Sequence, residues 1–319
     1  MIEVSAVIGR IVEIANDDRH LACERGFLVV RAKGEEVGRV PLDDIAALIG
    51  NAHGLSYSNN LLVALAERGC PFVLCGSQHR PVGILWAVKA HYRQAARMDA
   101  QLAVPLPLQK QLWRRLVQDK LRSQADVLAF LGRPDAPLRA LIRKVKSGDP
   151  SNTEAQGAKA YWGLLLGKEF RRDPESGGLN GLLNYGYAVL RAIVARHTIA
   201  TGLHPGIPIH HRNEGNPLRL IDDLMEPFRP LVDLCVVDLM AQGVEEVGPS
   251  AKNVLGHLHA RTLRIPERSP VTMVVQRYLA AFADACAMRS ADEFDVPRSP
   301  NFLSDFRVTD EREAEAQAS

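Results

Sequence analysis

Near His91 the apolar residues of this chain change their spacing from about two to about 3.6, so one chain must build two kinds of layer. Upstream, short β-branched or alternating runs occur at Val4–Ile8, Arg10–Ile14, Phe27–Arg31 and Glu36–Val40, parted by turn-forming stretches such as Asn16-Asp17-Asp18 and Lys33-Gly34. Pro41 predicts the start of a short helix over Leu42–Ile49, with Asp43 and Asp44 in its first turn. Ser56 or Ser58 caps a second helix that runs to Glu67 and is ended by Gly69. Phe72–Cys75 and Pro81–Trp86 read as strands. Downstream, Leu108, Leu112, Leu116, Leu121 and Val127–Leu131 recur at helical spacing among long polar side chains. Further helices are expected at about 152–169, 180–200, 222–242, 250–260 and 270–289. The pattern predicts an α+β chain of two domains. A β-rich N-terminal domain spans residues 1–90, a linker marked by Pro105 and Pro107 spans 91–107, an all-α domain spans 108–306, and a disordered tail spans 307–319.

Composition narrows the function classes. With 319 residues, 46% apolar and 24% charged, the chain is globular. No apolar run approaches about 20 residues, so no membrane span is expected. The start, Met1-Ile2-Glu3-Val4, lacks a basic leader and a small-residue cleavage site, which argues for a cytoplasmic protein. Cys23, Cys70, Cys75, Cys235 and Cys286 are scattered and odd in number, as buried thiols in a reducing compartment are; Cys70 and Cys75 have no second pair to complete a zinc site. The net charge of +2 conceals a block: residues 101–172 hold 14 Lys/Arg against 6 Asp/Glu. Such a block is either an electrostatic footprint for a polyanion or a solvated helix face. Within it, Arg143, Lys144 and Lys146, and later Arg171 and Arg172, are candidate phosphate contacts.

The candidate chemistry lies in His210-His211-Arg212-Asn213 and in Asp222-Asp223-Leu224-Met225-Glu226-Pro227-Phe228-Arg229-Pro230. Asp223 and Glu226 are three apart, which on one continuous helix stacks two like charges on one face. A divalent cation is one reason to tolerate that, and imidazole with carboxylate oxygens suits Mg2+ or Mn2+. A plainer reading is also open, since Asp222 and Asp223 complement a helix dipole. Glu154 likewise closes a capping box with Ser151 as the N-cap, which by itself accounts for a Glu at that position.

The motifs taken together resemble a known family. Asn184-Tyr185-Gly186-Tyr187, Gly202-Leu203-His204-Pro205 and Asp223–Pro230 resemble the CRISPR adaptation integrase, Cas protein one. Glu154-Ala-Gln-Gly-Ala-Lys-Ala-Tyr-Trp162 looks like its first catalytic motif, and Val40–Ile45 and Pro81-Val82-Gly83 fit its β domain. The likeness spans about residues 2–300, and the His-His-Arg-Asn form is closest to the type II branch. It implies a metal site of Glu154, His211 and Glu226, binding Mg2+ or Mn2+, with Asp223 assisting. His211 is preferred to His210 because the family's His precedes that Glu by about fifteen residues. It implies strand transfer: the 3′-hydroxyl of a short double-stranded DNA fragment attacks a phosphodiester at the edge of a repeat array. It also implies a homodimer formed through the β domain, and a small second Cas protein joined by two integrase dimers per partner dimer. A metal-binding His211 must be neutral, so activity should fall below about pH 6.5. Gly215-Asn216-Pro217 departs from the family, where a bulky residue is common, and leaves the geometry of that loop open. Two other readings remain: a stand-alone metal-dependent nuclease acting on branched DNA, and a non-catalytic DNA-binding scaffold.

Overall fold

The computed structural model describes residues 10–76, 81–85, 87–88, 94–264 and 268–294. The strand expected at Val4–Ile8, Trp86 and the tail from 307 lie outside them. Strands β1 (Arg10–Ile14), β2 (Arg19–Glu24), β3 (Phe27–Ala32), β4 (Glu35–Pro41), β5 (Ile45–Gly50) and β6 (Ser56–Tyr57) precede helix α1 (Asn59–Glu67), and β7 (Phe72–Cys75) and β8 (Pro81–Leu85) follow it. They form two four-stranded sheets. One is ordered β4-β3-β2-β6, its first three strands antiparallel; the other is ordered β1-β5-β7-β8 and is parallel except for the β7–β8 pair. Two-residue turns with positive φ at both positions, Arg25-Gly26 and Lys33-Gly34, join β2 to β3 and β3 to β4, and their twist suits tight hairpins. Strand β2 escapes the sequence reading because Arg-His-Leu-Ala-Cys-Glu has little β-branched character.

The helix predicted over Leu42–Ile49 is corrected. Leu42–Asp44 make a single 3-10 turn and Ile45–Gly50 a strand. Strand β5 lies between two parallel neighbours and is covered on both faces, so its apolar run is continuous rather than alternating, and continuous runs do not distinguish strand from helix. Leu48 and Phe72 face the N-terminal core with Leu21, Leu28, Leu61 and Leu65, whereas Ile49 and Val73, one residue on, face the helical core. Ser58, not Ser56, caps α1, accepting from the Leu61 N–H at 3.3 Å.

The helical half comprises α2 (Gln94–Leu102), α3 (Leu106–Phe130), α4 (Ala136–Ile142), α5 (Thr153–Leu165), α6 (Leu179–Ala200), α7 (Arg219–Leu224), α8 (Arg229–Ala241), α9 (Pro249–Gly256) and α10 (Val271–Met288), with a two-stranded ribbon of β9 (Thr262–Arg264) and β10 (Arg268–Pro270). The stretch read as a linker thus contains α2, which packs on α10. Helix α6 buries Leu182, Leu183, Val189, Leu190, Ile193 and Val194, so it is apolar nearly all round and central to the bundle. The helix expected over 222–242 is broken: α7 ends at Leu224, Glu226–Phe228 form a 3-10 turn, and α8 begins at Arg229. Pro227 and Pro230 remove two backbone donors there. Glu13 of β1 ties the halves together, accepting from the Tyr185 hydroxyl of α6 and from Asn51 Nδ2 at 2.6 Å, with Lys252 Nζ of α9 at 3.3 Å.

Candidate active site

Four pieces of chain meet here: the middle of α3, the start of α5, the loop before α7, and the break between α7 and α8. Glu154 lies in the first turn of α5. The expected capping box is not formed. Asn152, in a left-handed conformation with φ of 48°, is the N-cap, and its side chain accepts from the Ala155 N–H at 3.4 Å. Buried Asp149 accepts from the N–H groups of Thr153 and Glu154, both at 2.9 Å. With those donors satisfied, the Glu154 carboxylate is free of the helix start and pairs with the Lys120 ammonium of α3.

Glu226 meets the same ammonium, with Oε2 2.5 Å from Lys120 Nζ and Oε1 accepting from Arg229 Nε at 2.9 Å. Its side chain is 7% exposed and that of Lys120 is 9% exposed. Burial drives the Glu226 carboxyl toward neutrality, but Arg229 and Lys120 outweigh it and hold it at about 2. Burial likewise opposes the charge on Lys120, and Glu226 and Glu154 overcome it, so the lysine loses its proton less readily than a free one. Both Glu226 oxygens thus face a positive charge, Oε2 the Lys120 ammonium and Oε1 the Arg229 guanidinium.

Asp223 and Glu226 do not share a helix face, because the chain breaks between them. Asp223 is fully buried and turns to the preceding loop. Its Oδ2 accepts from the N–H groups of Ile209 and His210 at 2.7 and 2.9 Å, and its Oδ1 from the His211 N–H at 3.3 Å. The same Oδ1 lies 2.5 Å from His211 Nδ1. A carboxylate on Nδ1 fixes the ring and directs Nε2 outward as a ligand or base. His210, by contrast, stacks flat on Trp113 of α3, with centroids 4.1 Å apart and planes at 2°. Asp222 takes a structural part: Arg191 grips both its oxygens at 2.7 and 2.8 Å, and Asn216 bridges Arg191, Asp222 and the Leu218 N–H. That network is how the unusual Gly215-Asn216-Pro217 loop is held. Gln101 of α2, which the sequence did not signal, accepts from the His204 N–H at 3.0 Å and donates to the His204 and Ile207 carbonyls at 3.0 and 2.9 Å, anchoring the approach to His210.

Among the described residues no three His, Cys, Asp or Glu side chains stand close enough to hold a cation as placed; the Lys120 ammonium fills the space between the two glutamates. Of the candidate phosphate contacts, Arg143, Lys144 and Lys146 are exposed just beyond α4, and Arg171 is exposed with its guanidinium turned to the Lys168 and Phe170 carbonyls. Arg172 is different. It is half-buried and donates to Asn180 Oδ1 and Asn184 Oδ1 at 3.0 and 2.7 Å, over the Tyr187 ring. It therefore organises the start of α6 instead of presenting a free surface charge.

Residues 12–248 match the family described as CRISPR associated protein Cas1. The CRISPR-associated endonuclease Cas1 of Neisseria meningitidis serogroup C is 35% identical over 282 residues, covering 87% of this chain and 92% of that relative. A CRISPR-associated endonuclease Cas1 of Pyrobaculum aerophilum is 29% identical over 237 residues, covering 69% and 78%. Among solved structures, a casposase bound to its integration product matches with a TM-score of 0.75 over 97% of this chain and 99% of that one, at 17% identity. A CAS1 protein from Thermotoga maritima matches at 0.74 over 88% and 98%, at 15% identity. A Cas6-RT-Cas1–Cas2 complex matches at 0.75 over 93% of this chain and 36% of its own, at 17% identity. At such identities the structural likenesses speak for the fold, a strand-rich N-terminal half followed by a helical one.

Proposed function

Since the chain belongs to the Cas1 family of CRISPR-associated proteins, we propose that it is a metal-dependent DNA endonuclease and strand-transfer integrase of CRISPR adaptation, inserting short DNA fragments into a repeat array. The likeness to the Neisseria relative sides with the type II branch. The observation that carries the reading is the convergence of Glu154 and Glu226 on one buried positive charge, beside a histidine oriented by a carboxylate. A space between two carboxylates that already holds an ammonium is suited to a cation. The donor set of two carboxylates and one imidazole nitrogen is hard enough for Mg2+ or Mn2+.

In this reading Glu154, Glu226 and His211 would hold the ion, which would supply Lewis-acid stabilisation of charge on the phosphoryl oxygen. The protein's own share is positioning. Asp223 keeps His211 in one orientation, Arg229 keeps Glu226 ionised, and Asp149 frees Glu154 from its helix. Arg143, Lys144 and Lys146 bind phosphates without reading bases. The Cas6-RT-Cas1–Cas2 likeness supports a Cas2 partner, which a homodimer would join as two dimers per Cas2 dimer. No helix among the described residues is long and apolar enough to cross a membrane.

The test incubates the protein with Mn2+, a labelled fragment and a supercoiled plasmid carrying a repeat array. Joined product is expected. Cut product alone would favour a stand-alone nuclease. No reaction, together with a Mn2+ titration insensitive to Glu226→Ala, would favour a scaffold. Glu154→Ala, His211→Ala and Glu226→Ala should each stop joining while DNA affinity stays within a few-fold; normal joining by any one variant removes that residue from the site.

A further inference from the structure

We propose that Lys120 is the resident cation of the metal-free centre, and that a divalent ion enters by displacing its ammonium from between Glu154 and Glu226. This rests on the metal-site reading above and adds a competitor to it. Lys120 points inward from the middle of the 25-residue helix α3, among Leu112, Leu116, Val117, Leu121 and Leu128, where a charged side chain has no place unless something opposite waits for it. Its ammonium touches both glutamates, one of them at 2.5 Å.

Charge balance then fixes the order of events. Glu154 and Glu226 are matched by Lys120 and Arg229, so neither glutamate stands as an unpaired carboxylate. A divalent ion added beside the ammonium would press a third positive centre against the same two glutamates, in the space Lys120 already fills. Arg229 cannot easily leave: it is packed over the Tyr187 ring at 4.7 Å and holds the far oxygen of Glu226. Lys120 is the movable member, a flexible stem bearing a point charge, and its ammonium already stands where a shared ligand of the two carboxylates would stand. The lysine therefore keeps the carboxylates together when no ion is bound, at the cost of weakening the first binding of one.

The test is a Mn2+ titration of the full-length protein by calorimetry, with Glu226→Ala as the control. Lys120→Met and Lys120→Gln should bind Mn2+ at least about tenfold more tightly than the wild type, through a site that Glu226→Ala abolishes. Their metal-free melting temperatures should fall, and Mn2+ should raise them by more than it raises the wild type's. Equal or weaker Mn2+ binding by both variants, with an intact Glu226-dependent site in the wild type, overturns the displacement and leaves the metal site standing. No Glu226-dependent site in the wild type or in either variant removes both. A measurement that needs no substitution stands beside these. In the wild type, acylation of Lys120 by an amine-reactive ester, read by peptide mass spectrometry against exposed Lys110, should rise severalfold when Mn2+ is added. Unchanged labelling overturns the proposal even if the variants do not fold.

Discussion

His211 Nδ1 is taken by Asp223, and that pairing sets how the ring answers to protons. The hydrogen bond to Asp223 outweighs partial burial and raises the His211 value above 6.5. The acid limb of activity should accordingly begin above the value of about 6.5 anticipated for an unperturbed imidazole. Since proton and metal compete for the same ring, raising Mn2+ should move the limb to lower pH. Asp223→Asn should bring the limb down toward 6.5 and lower activity, with Asp222→Ala milder; a limb insensitive to both Mn2+ and Asp223→Asn would separate His211 from the reaction. Asp233 of α8 is buried and accepts from the Tyr187 hydroxyl at 2.5 Å. Burial lifts it to about 7, against the partial relief given by tyrosine hydroxyls, Arg229 and Lys120. The folded chain thus keeps a proton that the unfolded chain releases near 3.8, so this group's contribution to stability is greatest below that value and declines as pH rises toward 7. Asp233→Asn should flatten that decline in melts taken between pH 4 and 8, values spanning the shift. Of these residues the sequence offered His211, Asp223, Glu154 and Glu226 through their motifs. It offered neither Lys120 nor Asp233, because a charged residue on a helix carries no mark of whether it will face solvent or a buried partner.

Elements are legible where one apolar face repeats and illegible where burial is two-sided or a short break intervenes. Helix α10 occupies the segment expected at about 270–289, and α1 follows Ser58. Strand β5 mimics a helix because both its faces are covered, and the 222–242 segment reads as continuous from its apolar spacing although Pro227 and Pro230 mark the break at which Glu226 leaves the axis of α7. The cap of α5 is hidden for a related reason: Asp149 reaches it from four and five residues away, beyond any local capping pattern. The tight packing of α6 on α8 also depends on a residue without a distinctive local signal. A Cβ on Gly186 would lie 2.4 Å from Cγ1 of buried Val232 and 3.2 Å from Leu255 Cδ2. Val232 is β-branched and has few rotamers to escape into. Gly186→Ala should therefore cost about 1–3 kcal/mol, seen as a lower denaturant midpoint at unchanged slope.

Over the whole molecule, the basic block of residues 101–172 divides into charges that are engaged and charges that are displayed. Lys120 and Arg172 are engaged; Arg143, Lys144 and Lys146 are displayed together past α4. Replacing those three by Ala should reduce the slope of log affinity against log salt by about 0.9 for each phosphate they had neutralised, whereas Arg172→Ala should chiefly lower the melting temperature. The two-part architecture is legible from the change of period, but the join is not. Residues 48 and 49, and again 72 and 73, send neighbouring side chains to opposite cores through one shared sheet. A partition of strands that both halves lean on cannot be cut away from either. Truncating near residue 90 would strip the bundle of its floor, and heat should melt the two halves in a single step.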